Sequence, residues 1–344
     1  MSPVTGSSGG GELVPGKEGE RRPEGSPLRQ GAAGMACARV EINEVGPRDG
    51  LQIEPVFVPT DEKVRLVDAL SACGFARIEV TSFTSPKAIP ALADAEAVLQ
   101  RVARAPGTRY TALVPNVRGL ERALASGVDE VNLVMSASET HNRANLRMTR
   151  EQSAGHLLAI IEAARVPCNV SISTAFGCPF EGEVDAFEVQ RLVGVFAAAG
   201  ARGITLCDTT GMAYPTQVAG LCAAVLQAHP GLALTLHTHN TRGMALANVF
   251  AAWQVGVRRF DAAAGGLGGC PYAPGASGNV NTEELVHLFD SMRVPCGVDL
   301  ARLLDCVAML PALVRRDLAL PLLQAGHRLR RHAAPAWTDT HFAA

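Results

Sequence analysis

From Val40 onward the chain alternates between short runs rich in β-branched residues and longer stretches whose apolar residues recur at three- and four-residue spacing. The short runs predict strands over 40–45, 77–81, 110–114, 130–135, 169–174, 203–207, 233–238 and 259–263. Between them, patterns such as Val64, Leu66, Val67, Leu70 and Val189, Leu192, Val193, Phe196 predict amphipathic helices. Several of these close on small residues and Gly before the next strand, as in SACGFARIEV, LASGVDEVNLV, AAAGARGITL and WQVGVRRFD, where Gly supplies a left-handed cap. Strand, helix, Gly, strand in regular repetition means parallel βαβ units. Eight of them predict an α/β fold of the (β/α)8 TIM-barrel type; a doubly wound open sheet is the alternative, and the element count favours the barrel. Helical patterns continue from Thr282 to about Arg331, and residues 298–323 are expected to pack as additional C-terminal helices.

The first 34 residues read differently. Gly, Pro and Ser dominate them, and too few apolar groups are present to offset the entropy of ordering, so a disordered leader is expected over 1–34. It has no apolar core of a secretory signal, and its glutamates count against a mitochondrial transit peptide. Met35 is a candidate natural start. The expected organisation is then one barrel domain over 35–331, C-terminal helices included, with a flexible tail over 332–344.

Composition narrows the function classes. Lys plus Arg (31) nearly balances Asp plus Glu (33), leaving no field to hold nucleic acid or an anionic membrane, and no apolar run is long enough to span a bilayer. The nine cysteines include no Cys-x-x-Cys pair, which argues against a zinc knuckle or disulfide scaffold and for reduced thiols in a cytoplasmic setting.

In such a barrel, chemistry sits where strands lead into helices. Strand one runs into GPRDGLQ, placing Arg48, Asp49 and Gln52 at the rim; strand two carries Glu79, then Thr81 and Ser82; strand three ends at Asn116, strand four at Ser136 and Ser138, and strand five at Thr174. Strand six ends at Asp208, strand seven at His237-Thr238-His239-Asn240, and strand eight opens into GGLGGCPYAPGASGN. Polar groups thus gather at one end while the strand bodies are read as apolar. Alternation turns His237 and His239 to the same side, so the two imidazoles can share one ligand. Alone, each feature has a plainer reading: two unrelated histidines, a solvated Arg-Asp turn, Glu79 as a structural partner of Arg48, a flexible Gly-rich connection. Together, a ring of Asp, Glu, His and Arg around one mouth implies mutual pairing or a bound cation. A divalent metal held by Asp49, His237, His239 and one further oxygen donor fits, and this donor set admits Mg, Mn, Co or Zn. Cys270 stands apart from the other cysteines because it sits on a rim loop between Gly269 and Pro271.

The combination of EVGPRDGLQ, IEVTSF followed by SPK, GCPFEG, LCDTTG, the His-x-His pair and GGLGGCPYAPGASGN resembles the 3-hydroxy-3-methylglutaryl-CoA lyase family of metal-dependent TIM-barrel lyases, over roughly residues 40–314. The resemblance implies an acyl-CoA substrate, a homodimer, a divalent cation with Mg2+ or Mn2+ favoured, and a role in leucine catabolism and ketone body formation. By motif, the metal ligands are Asp49, His237, His239 and Asn279; the catalytic residues are Arg48, Asp49, Glu79 and Cys270; and Arg48, Gln52, Thr81 and Asp208 face the substrate, with Glu283 in support. The implied chemistry is a retro-Claisen cleavage yielding acetyl-CoA and acetoacetate. Asp49 is the leading candidate for base, Arg48 stabilises the enolate and Cys270 delivers the proton. Asn240, Ile53 and Pro55 depart from the family pattern. They leave open a related lyase for a longer branched 3-hydroxyglutaryl-CoA, with a Claisen-type synthase or aldolase of the same barrel group behind it, and a non-catalytic acyl-CoA binder as the rival outside enzymes.

Overall fold

The computed structural model describes residues 39–269 and 278–333. Eight parallel strands close into a barrel in sequence order, β1 (Glu41–Glu44), β2 (Arg77–Ser82), β3 (Arg109–Leu113), β4 (Glu130–Ser136), β5 (Cys168–Ser173), β6 (Gly203–Asp208), β7 (Ala233–Thr238) and β8 (Arg259–Ala262). Each lies within a residue of its expected bounds, and β1 pairs with β8, which rules out the open sheet. The connecting helices are α1 (Thr60–Ser71), α2 (Ala95–Arg101), α3 (Val117–Ala125), α4 (Glu139–Leu146), α5 (Arg150–Ala163), α6 (Ala186–Ala198), α7 (Pro215–Ala228) and α8 (Ala245–Gln254). After β8 come α9 (Thr282–Ser291), α10 (Leu300–Val314) and α11 (Pro321–Ala325). Helix ends before the expected Arg331: α11 stops at Ala325, where Gly326 turns the backbone to φ 79°.

Local chemistry sets the helix starts. The Asp185 side chain accepts the Phe187 amide at 2.9 Å ahead of α6, Asn116 accepts the Gly119 amide at 2.9 Å ahead of α3, and Thr149 with Gln152 forms a reciprocal capping box on α5. The predicted stripe Val189, Leu192, Val193 and Phe196 is buried on α6, each side chain contributing about 1.5–3 kcal/mol by leaving water.

The strands correct one expectation. Their bodies are not apolar on both faces. Outward residues such as Ile78, Val80, Leu133, Val170, Ile172, Ile204 and Leu206 are buried under the helices. The barrel's own interior is lined by Asn43, Arg77, Glu79, Thr111, Glu130, Asn132, Asn169, Thr205, Thr235 and Asp261. The apolar core is therefore the sleeve between strands and helices, and the interior is a polar column, unlike the branched aliphatic filling usual in such barrels. At its floor Arg77 pairs with Glu130 at 3.1 Å.

Gly74, after α1, has φ 91°, and a Cβ there would lie 2.6 Å from the Gly297 carbonyl. Gly74→Ala is expected to destabilise the fold by about 1–3 kcal/mol, read as a lower urea midpoint at unchanged m-value.

Candidate metal centre at the barrel mouth

Four strands deliver the site. After β1 the chain makes one wide π-type turn over Gly46–Gly50, in which the amides of Asp49 and Gly50 both donate to the Val45 carbonyl, at 2.7 and 3.4 Å. Turns of this kind are frequent at functional sites. Here it presents Arg48 and Asp49 consecutively, and both are buried. At the end of β7, His237 and His239 follow with ring centroids 5.2 Å apart. Asp49, His237 and His239 each offer one ligand atom, and these atoms lie within 4.8 Å of one another. Asn279 joins them through a bridge to His239.

The Asn279 side chain shows what the cluster lacks. Its Nδ2 donates to Asp49 Oδ2 at 2.7 Å and to the Leu267 carbonyl at 2.9 Å, which fixes the amide orientation. Among the described residues, no hydrogen-bond partner reaches its buried Oδ1 or the buried Nδ1 of His239. A buried acceptor without a partner costs about 1–3 kcal/mol. An open amide oxygen beside a carboxylate and two imidazoles is a donor set that a divalent cation satisfies, and the residues fit one. The Gly-rich segment backs directly onto them: a Cβ at Gly268, whose φ is 100°, would stand 2.6 Å from Asn279 Nδ2 and 3.3 Å from Asp49 Oδ2. Only Gly allows this approach.

Electrostatics keep Asp49 and His239 deprotonated. Burial pushes the Asp49 carboxyl up, but Arg48, His237, His239 and the Asn279 amide outweigh it and hold it at about 2. Burial, reinforced by His237 and Arg48 against the pull of Asp49, drives His239 down to about 3, so its imidazole is neutral. His237 moves the other way: burial lowers it, yet the hydrogen bond and charge of Asp261 and the charge of Asp49 raise it overall. Asp261 Oδ2 sits 3.3 Å from His237 Nδ1, across the β7–β8 register, which leaves Nε2 as the available ligand atom. Asp261 is itself fixed by Asn43 Nδ2 at 2.9 Å.

Beside the cluster, Arg48 Nη1 donates to Asp49 Oδ1 at 2.6 Å and Nη2 to Glu79 Oε2 at 2.7 Å. Glu79 is thus the partner of Arg48 and reaches Asp49 through it. Burial raises Glu79, opposed by Arg48 and by Asn132 Nδ2, which donates to Oε1 at 3.0 Å. Asp208 accepts the amides of Met212 and Ala213 on Oδ1, at 2.7 and 3.1 Å, while its buried Oδ2 has no hydrogen-bond partner among the described residues. Burial lifts it to about 6. Glu283 accepts the Gly265 amide at 3.0 Å, at the root of the Gly-rich segment. Gln52 is half-buried on the turn after Asp49 and Thr81 is buried beyond Glu79; neither is hydrogen-bonded to the cluster. Asn240 turns away, accepting the Ala245 amide at 3.2 Å. Cys270 lies outside the described residues.

Three contributors escaped the sequence reading. Asp261 and Asn132 stand on strand bodies, and alternation from Arg259 and Glu130 was the available signal for both. Glu44, fully buried, accepts the amides of Gly46 and Ala264 at 2.7 and 3.0 Å on Oε1 and the Thr282 hydroxyl at 2.7 Å on Oε2. It ties the Arg48 turn to the loop after β8 and to the start of α9. Burial lifts it to about 7 against these three hydrogen bonds.

Asp261→Ala is expected to weaken divalent metal binding roughly 10- to 100-fold, measured by calorimetric titration. Gly268→Ala should weaken it through displacement of Asn279, with the far-UV dichroism unchanged.

Residues 39–310 match the HMGL-like family model. The chain is 46% identical over 271 residues to the hydroxymethylglutaryl-CoA lyase YngG of Bacillus subtilis, covering 78% of this chain and 90% of that protein. It is 44% identical over 306 residues to the (R)-citramalyl-CoA lyase of Chloroflexus aurantiacus, covering 83% and 95%. A solved HMG-CoA lyase from Acinetobacter baumannii, in complex with coenzyme A and 3-methylmalate, superposes with a TM-score of 0.83 at 48% identity over 86% of this chain and 98% of that one. With the metal-ready cluster at the mouth of a closed parallel barrel and these similarities over most of its length, the chain belongs to the HMGL-like family.

Proposed function

We propose that this protein is a lyase that cleaves 3-hydroxy-3-methylglutaryl-CoA to acetyl-CoA and acetoacetate. The observation that carries the reading is the gathering of Asp49, His237 and His239 ligand atoms within 4.8 Å of one another, with Asn279 hydrogen-bonded to Asp49 and the buried Arg48 beside them. Asp49, His237, His239 and Asn279 would hold a divalent cation, Mg2+ or Mn2+, which when bound supplies Lewis acidity toward the substrate's hydroxyl and carboxylate oxygens. Asp49, which Arg48, His237 and His239 hold ionised against its burial, accepts the hydroxyl proton. The bond between the carbinol carbon and the thioester's α-carbon then breaks, its electron pair passing to the thioester fragment. Arg48, charged and clamped by Asp49 and Glu79, stabilises the developing enolate without reorienting. Cys270 protonates the α-carbon to release acetyl-CoA. Asp208, Gln52 and Thr81 face the substrate from the rim. The partner molecule is an acyl-CoA, and we read the enzyme as a homodimer of the cytoplasm acting in leucine breakdown. Among the described residues no helix is long and apolar enough to cross a membrane.

The similarity to a citramalyl-CoA lyase supports a second reading, in which the same cleavage releases a 2-oxo acid. Both esters undergo one reaction type, so pocket shape decides between them.

Purified protein with Mg2+ or Mn2+ should liberate acetoacetate from 3-hydroxy-3-methylglutaryl-CoA faster than a 2-oxo acid from citramalyl-CoA; the reverse order selects the second reading, and no cleavage of either ester removes both. His237→Ala should abolish metal uptake and turnover together. Cys270→Ala should retain the metal and lose turnover, and normal turnover in that variant would overturn the proton-donor role.

A further inference from the structure

A hydrogen-bonded belt runs across the barrel interior behind Arg48. Asn132 on β4 accepts on Oδ1 from Asn169 Nδ2 and from Ser171 Oγ, both at 2.9 Å. Asn169 Nδ2 also donates to Thr205 Oγ1 at 2.9 Å on β6. These contacts occupy the Asn132 carbonyl and fix which way its amide faces: Nδ2 points across the barrel to Glu79 Oε1 at 3.0 Å. Glu79, 1% exposed, spends its other oxygen on Arg48 Nη2 at 2.7 Å. Among the described residues, no hydrogen bond joins Asn132, Asn169, Ser171 or Thr205 directly to Arg48, Asp49, His237, His239 or Asn279.

We infer that Asn132 is a positioning residue, acting through Glu79 to hold the Arg48 guanidinium at the reacting centre. A buried carboxylate rotates or protonates unless both oxygens are paired. Arg48 pairs one and Asn132 the other, and the strands behind Asn132 make that donor rigid. Loss of the Asn132 N–H leaves Glu79 free to turn and easier to protonate, since burial already favours its neutral form and Asp261 on β8 adds a repelling charge. The remaining charged groups lining this interior, Arg77 and Glu130, are paired with each other at the floor. Once Glu79 is neutral, Asp49 is the one charged hydrogen-bond partner left to Arg48 among the described residues.

The inference rests on the lyase reading above, and the test separates the two. Wild type, Asn132→Leu and Asn132→Asp are compared as metal-loaded enzymes on 3-hydroxy-3-methylglutaryl-CoA across pH, with metal affinity measured beside them. Wild type without turnover removes the lyase reading and, with it, the ground for this inference. With active wild type, Asn132→Leu should lower kcat roughly 10- to 100-fold, leave KM and metal affinity within about twofold, and move the acid limb of the kcat profile to higher pH. The sign follows from the charged Glu79 being the competent form: without the N–H donor its pKa rises, so activity is lost sooner as pH falls. Asn132→Asp keeps the acceptor toward Asn169 and Ser171. Its introduced carboxyl donates to Glu79 only when protonated, so this variant should recover activity on acidification, opposite to Asn132→Leu. Wild-type kcat and acid limb in Asn132→Leu, or parallel profiles for the two variants, would overturn the assignment. Should Asn132→Leu fail to fold, the direction of the Asn132→Asp profile decides alone.

Discussion

Burying the Asp49 carboxylate is the constraint from which the rest of the site follows. An ionised carboxylate removed from water loses several kcal/mol of hydration that must be returned locally. Arg48 returns part of it on one oxygen and Asn279 part on the other. Each compensation creates a further demand. Arg48 is a buried cation and needs Glu79; Glu79 is a buried anion shared with Asn132; the Asn132 carbonyl in turn accepts from Asn169 and Ser171. The polar column inside the barrel is the sum of these demands, and it explains why the interior is not filled with Val and Leu.

A parallel barrel can bear such a column because its apolar burial is elsewhere. Strand alternation sends one set of side chains outward, where the helices cover residues such as Ile78, Leu133, Ile172 and Leu206. Stability is supplied by that sleeve, and the inner face is released for chemistry. Glu44 links the two: it faces out of the strand, yet its oxygens gather the turn after β1, the loop after β8 and the start of α9 into one unit. The Asp49, His237 and His239 cluster and its neighbours Arg48, Glu79 and Asp261 thus come from the first two and last two strands and the turns after them, which are neighbours only because the sheet closes.

The rim carries conformational cost. Thr174, a β-branched residue at the end of β5, is held at φ 55° with its amide on Thr209 Oγ1 at 2.8 Å. Such a residue in the left-handed region costs about 1–3 kcal/mol, and the buried bonds around it make that conformation the cheapest one available. Gly268 has no such cost, but any side chain there would enter the ligand cluster. Both positions lie where strands hand over to loops, at the end of the barrel that bears the site.

Much of this was legible in residue order. The eight strands and their helices follow from local periodicity, and the His-x-His pair, the Arg-Asp turn and the Gly-rich loop announced themselves because each is a short-range pattern of unusual residue types. The ligand quartet came from a resemblance of motifs; the structure sets ligand atoms of Asp49, His237 and His239 within 4.8 Å of one another and hydrogen-bonds Asn279 to Asp49. Asp261, Asn132 and Glu44 were missed for a common reason: each is a single polar residue on a strand whose partner lies 24, 53 or 238 positions away. One-dimensional pattern tells which face of a strand a side chain takes, but not whether that face meets oil or another dipole. That is settled by barrel closure, because the electrostatic cost of a buried charge depends on what stands across a few ångströms of space, whatever its distance along the chain.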